Sequence, residues 1–139
     1  MATRVELHEL PGSKRAGELA GLVEKLYKQR RRVVVWVADE GRLKILDDYL
    51  WSFHKLSFVP HAVWTENMGS SDEPVTLLST TANPNGAEVL VVGDELPPAD
   101  WIGSFDEVHD FVPAGEAGDE RRAFWAQWQS EHGASGGVG

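Results

Sequence analysis

The chain is expected to fold as an α/β domain in three layers, α/β/α, around a mainly parallel sheet. Two runs, RVVVWVA at residues 32–38 and AEVLVVG at 87–93, are almost continuously apolar and rich in valine. Strands buried on both faces have this character, and parallel sheets bury both faces. Stretches of helical periodicity lie around these runs, so strands alternate with helices along the chain.

Residues 4–10 read as a first or edge strand, with Val5 and Leu7 alternating with polar neighbours. Pro11-Gly12 ends it, and Ser13 can cap a helix running to about residue 29. In that helix Ala16, Leu19, Ala20, Leu22, Val23, Leu26 and Tyr27 recur at helical spacing. After the strand at 32–38, Asp39 caps a second helix over residues 40–53, with Leu43, Leu46, Leu50 and Trp51 on or near one face. Residues 66–73 form a polar surface loop, 75–79 a short strand and 83–86 (NPNG) a turn cluster. The second buried-type strand follows at 87–93 and is broken by Pro97-Pro98. Residues 105–112 mix a short helix with a last strand, and 116–131 form a C-terminal helix rich in aromatics. Residues 1–133 make one domain, with no internal repeat. Residues 134–139 read as a disordered Gly/Ser tail.

The 139 residues are typical of one domain, and a hydrophobic fraction of 42% is enough for a real core. No apolar run approaches a membrane span, and the N-terminus lacks a signal-peptide core. Cysteine is absent, which excludes disulfides, cysteine nucleophiles and thiolate metal sites. A cytoplasmic location is expected. The net charge of −9 argues against direct nucleic-acid binding, because neutralising phosphates takes a basic face. The cluster Lys25, Lys28, Arg30, Arg31 and Arg32 lies at a helix end, where cations complement the macrodipole.

No catalytic or cofactor motif is present. The first βα turn, residues 10–17 (LPGSKRAG), has two glycines but neither GxGxxG nor GxxxxGK[ST]. The second, residues 38–41 (ADEG), carries carboxylates where a phosphate would want bare amides. A nucleotide site is therefore not expected, although the fold class often supports one. His8, His54, His61, His109 and His132 show no metal-binding spacing, so no metal or other cofactor is expected. Asp47 and Asp48 are adjacent on a helix and diverge, while Asp106, Glu107 and Asp110 read as a solvated acidic face.

Two aromatic segments stand out instead. In residues 50–61 (LWSFHKLSFVPH), Trp51 and Phe53 end an apolar helix where a polar or basic last turn is usual. Phe58 and Val59 then occupy a loop against Pro60. An apolar loop is either folded under the domain or offered to a partner. In the last helix Trp125 and Trp128 share a face, and Arg121, Arg122 and Trp125 form a basic-aromatic neighbourhood. Such a patch can take an acidic, apolar-tipped peptide.

The sequence resembles the chi subunit of bacterial DNA polymerase III holoenzyme. The resemblance is carried by residues 46–51 (LDDYLW), 57–61 (SFVPH), Asn85-Gly86 before a buried strand, and 108–113 (VHDFVP), in that order and spacing. It implies a non-enzymatic clamp-loader accessory subunit with a fold similar to nucleotide-binding folds. It further implies two partners: the psi subunit, and the acidic C-terminal tail of single-stranded-DNA-binding protein. Carried over by position, psi would meet Trp51 and the loop Phe58, Val59, Pro60 and His61. The tail would meet Val112, Arg121, Arg122, Trp125 and Trp128. Three positions that are basic in the family's last helix are here Phe124, Ala126 and Gln129. An adaptor of the same fold serving a repair helicase is the alternative that this loss favours. A nucleotide-binding enzyme, with its ligand near residues 11–15 or 38–41, is the third.

Overall fold

The computed structural model describes residues 3–10, 14–53 and 59–133. Ser13, expected as a helix cap, and the tail at 134–139 lie outside them. The element order is β1 (Arg4–Glu9), α1 (Arg15–Lys28), β2 (Val33–Trp36), α2 (Glu40–Phe53), β3 (His61–Val63), β4 (Val75–Leu78), β5 (Val89–Val92), α3 (Ala99–Ile102), β6 (Glu107–Val112) and α4 (Glu116–Trp128). A 3₁₀ turn at Glu66–Met68 and a π-helical turn at Gln129–Gly133 complete it.

The strands form one six-stranded sheet in the order β1-β6-β5-β2-β4-β3. Every recorded pairing is parallel. β2, β4 and β5 hold the centre, and all their residues are buried. This is why both valine-rich runs lack alternation: each side chain meets a packed layer above or below the sheet.

Alternate residues divide between two cores. On one face Val33, Val35, Val89 and Val91 pack with Leu19, Val23 and Leu26 of α1 and with Leu43 and Leu50 of α2. On the other, Val34, Trp36, Leu90 and Val92 pack with Ile102 of α3 and with Trp125 and Trp128 of α4. The expected three layers are thus present. Asp39 caps α2, accepting the Arg42 amide at 2.9 Å.

Three expectations are corrected. The short helix expected within residues 105–112 lies ahead of them, as α3 at Ala99–Ile102. The sequence reading missed β3, which places His61 in an edge strand rather than in a loop. The acidic face at 106–110 is also not solvated: Glu107 and Asp110 are buried, and only Asp106 faces water. Strand β6 is buried along its whole length between β1 and β5, so its polar side chains find partners inside the protein.

Candidate interaction surfaces

The end of α2 is the clearest apolar surface. Leu43 and Leu50 turn inward, while Ile45, Tyr49 and Phe53 recur every four residues along one flank, the first two bordering α1, and are exposed. Trp51 is 42% exposed. Its ring lies over His61, with centroids 3.9 Å apart. His61 itself is buried and donates from Nδ1 to the Val59 carbonyl at 2.8 Å. Asp47 of α2 approaches its Nε2 at 3.5 Å. The imidazole is therefore a fixed floor beneath the indole.

Of the other loop residues, Val59 is 1% exposed and belongs to the core beside α1 and α2. Pro60 is half-buried, and Phe58 lies outside the described residues. The choice the sequence left open, loop folded under or loop offered, is resolved residue by residue. Val59 and His61 are folded under, and Trp51 remains at the surface.

The C-terminal helix is organised around Asp110, which has no exposed surface. Arg121 donates from one terminal nitrogen to both carboxylate oxygens, at 3.0 and 2.9 Å, and its other nitrogen bonds the Asp94 carbonyl. The Trp125 indole N–H donates to Asp110 at 2.8 Å, as does the Phe111 amide. Arg15 of α1 approaches it at 3.9 Å. Burial, then the nearby Arg121 charge, holds the Arg15 guanidinium below its ordinary range, while Asp110 and Asp94 oppose the shift.

Trp128 is buried and donates to the Ala99 carbonyl at 3.1 Å, tying α4 to α3. Val112 is buried at the end of β6. Of the five residues assigned to the tail pocket, only Arg122 is substantially exposed, and it bonds Glu9 across to β1 at 2.8 Å. Phe124 is half-buried and stands edge-on to Trp125, with centroids 4.9 Å apart.

The carboxyl ends of the central strands form a crevice of ≈ 290 Å³ between α1 and α2, lined by Leu19, Val37, Leu46, Tyr49 and Gly93 among others. Open α/β sheets bind ligands in this position. Here an ion pair between Arg42 and Asp94 borders it. A Cβ on Gly93 would fall 2.5 Å from Val37, so the strand ends are in tight contact. The Asp39 carboxylate already occupies the start of α2. Among the described residues, no helix is long and apolar enough to cross a membrane.

Sequence reasoning missed a polar chain on the α1 side of the sheet, along β1 and β6. His8 Nε2 lies 2.8 Å from His109 Nδ1, and His109 Nε2 lies 2.5 Å from Glu107. Glu107 is also bonded by Arg31 at 3.1 Å and by Arg4. Burial raises the Glu107 carboxyl, but bonds from His109 and Arg31 outweigh it and hold the group below its ordinary range. Burial, then the neighbouring His109, lowers His8. The only sequence signal was a shared spacing: Glu6-x-His8 and Glu107-x-His109.

Comparison with known proteins places this architecture. The family model described as "DNA polymerase III chi subunit, HolC" matches residues 2–134. The DNA polymerase III subunit chi of Pseudomonas aeruginosa is 28% identical over 113 residues, covering 79% of this chain and 77% of that protein. A probable DNA polymerase III subunit chi from Rickettsia prowazekii is 26% identical over 91 residues. That match covers 66% of this chain and about half (52%) of the relative. Among solved structures, the C-terminal part of the Fun30 ATPase domain superposes with a TM-score of 0.57 at 12% identity, over 78% of this chain and 44% of that one. This last likeness shows the fold alone. The residue pattern, the parallel sheet and the match along nearly the whole chain agree that the protein belongs to the DNA polymerase III chi subunit family.

Proposed function

We propose that this chi-family protein is a non-catalytic replication accessory subunit. It would link the clamp loader, through psi, to the C-terminal tail of single-stranded-DNA-binding protein. The observation that carries the reading is the exposed Trp51 over a buried, fixed His61 at the end of α2, with Ile45, Tyr49 and Phe53 exposed along the opposite flank of the same helix. Exposed aromatics on a rigid helix are the usual anchors of protein interfaces. An acidic chain suits an adaptor that reaches DNA through partners rather than by gripping phosphates.

For the tail, Arg122 is the accessible cation on α4. Trp125 and Trp128 would act from beneath, by holding α4 in place. Phe124, Ala126 and Gln129 offer no charge, so tail binding would be weak and salt-sensitive.

Calorimetric titration with the psi subunit of the same genome tests the first contact, and titration with the tail peptide tests the second. A 1:1 psi complex weakened by Trp51→Ala supports the reading. Absence of psi binding, or a Trp51→Ala variant that binds as wild type, overturns the surface assigned here. Recovery of a helicase without clamp-loader subunits from the native host would favour the repair-adaptor alternative.

A further inference from the structure

Strands β1 and β6 pair in parallel with Glu6 opposite His109 and Arg4 opposite Glu107. Residues two apart on a strand share a face, so Glu6, His8, Glu107 and His109 all project to the α1 side. One ligand atom from each of Glu6, His8 and His109 lies within 4.8 Å of the other two. The two imidazoles meet edge to edge through these nitrogens, with planes 22° and centroids 5.1 Å apart. We infer that Glu6, His8 and His109 form a binding site for a divalent transition metal of the zinc class.

Two imidazole nitrogens and one carboxylate are the donor set that zinc and its neighbours prefer over magnesium or calcium. The orientation of His109 supports the assignment independently. Its Nε2 is held by Glu107 at 2.5 Å, which fixes the N–H on that side and leaves the Nδ1 lone pair facing His8. A carboxylate behind a ligating histidine is the common outer partner in zinc sites. Glu107 is in turn held by Arg31 and Arg4, so it stays in place without needing the metal.

Without metal, the His8 Nε2–H supplies the proton shared between the rings at 2.8 Å. On binding, that proton moves to His8 Nδ1 and the freed lone pair joins the metal. Two nitrogens on a tetrahedral ion at about 2.0–2.1 Å stand roughly 3.3 Å apart. His8 therefore shifts outward by about half an ångström and its ring turns to aim the lone pair at the ion, which a half-exposed side chain on an edge strand allows. Glu6 releases its solvent-exposed contact to Arg4 at 3.3 Å. The three ligands border a cavity of ≈ 220 Å³ that also touches Leu22, Lys25 and Gln29, leaving room for water as a fourth ligand.

The test uses the full-length, tag-free protein, stripped of metal and titrated with Zn²⁺ against a chromogenic chelator. Co²⁺ then reports coordination geometry through its visible bands. One equivalent of Zn²⁺ is expected, lost in His8→Ala and weakened about 10–100-fold in Glu107→Gln. Glu6→Gln should also weaken it. His132→Ala, on the π-helical turn after α4, should bind as wild type. His8 is half-exposed, so circular dichroism of the metal-free variant should match wild type and separate ligand loss from unfolding. The assignment is overturned if wild type binds no stoichiometric Zn²⁺, if folded His8→Ala binds as wild type, or if His132→Ala removes the site.

Discussion

The indole nitrogen of Trp125 donates to Oδ2 of Asp110 at 2.8 Å, with both side chains fully buried. This bond joins α4 to β6, and it makes the aromatic face of the last helix a structural element before it is anything else. Removing the carboxylate would leave Arg121 and Arg15 as partly buried cations without their shared partner. We expect Asp110→Ala to lose about 3–5 kcal/mol of stability, the usual cost of breaking a buried ion pair from one side. Urea denaturation measures it.

Trp125 and Arg122 are three residues apart, yet their roles should separate cleanly. Trp125→Ala empties a core position and is expected to cost about 3–5 kcal/mol. Arg122 pairs with Glu9 at the surface, and Arg122→Ala should change stability by no more than about 1 kcal/mol. Any loss of tail-peptide binding in folded Arg122→Ala then reports a contact. The same loss in Trp125→Ala would report the helix it supports. Equal stability of the two variants would contradict this division.

Val59 and Trp51 offer the opposite comparison within one segment. Val59→Ala should cost roughly 1.5–3 kcal/mol of stability through lost burial. Trp51→Ala should cost only about 0.5–1.5 kcal/mol, the worth of an aromatic contact such as that with His61. If Trp51 anchors psi, the same variant should weaken that complex by about 2 kcal/mol or more, roughly 30-fold. Paired thermal melts and calorimetric titrations distinguish the two effects.

Gly118 lies where α4 crosses the chain leaving β6. A Cβ there would fall 1.8 Å from the Pro113 carbonyl oxygen, a backbone atom that cannot swing aside. Gly118→Ala should therefore destabilise by at least the roughly 1–3 kcal/mol typical of overpacking. In a melt this appears as a fall in Tm of roughly 3–10 °C. A silent substitution would show that α4 can slide along the sheet.

Much of this architecture was legible in the sequence because burial leaves a local trace. Val33–Trp36 and Val89–Val92 are apolar throughout because each has a helix layer on both sides. The cap at Asp39 and the periodicity of α1 were equally local. What escaped depended on distant partners. Strand β3 has three residues behind a proline at the sheet edge, too short to show any period. Glu107 and Asp110 looked solvated because Arg4, Arg31 and Arg121, which neutralise them, lie outside any local window. Trp125 and Trp128 were correctly placed on one face, but only packing shows that this face is the inner one. His8 and His109 are separated by most of the chain and meet only because β1 and β6 are neighbours.

That neighbouring has a consequence for biosynthesis. Arg4 pairs with Glu107, so β1 must wait for β6 before it joins the sheet. At translation rates of about 5–20 residues per second, the wait is roughly 5–20 s. Through that interval β1 is an unclaimed strand on the ribosome. The charges of Arg4, Glu6 and Glu9 then serve as a guard against pairing with other chains.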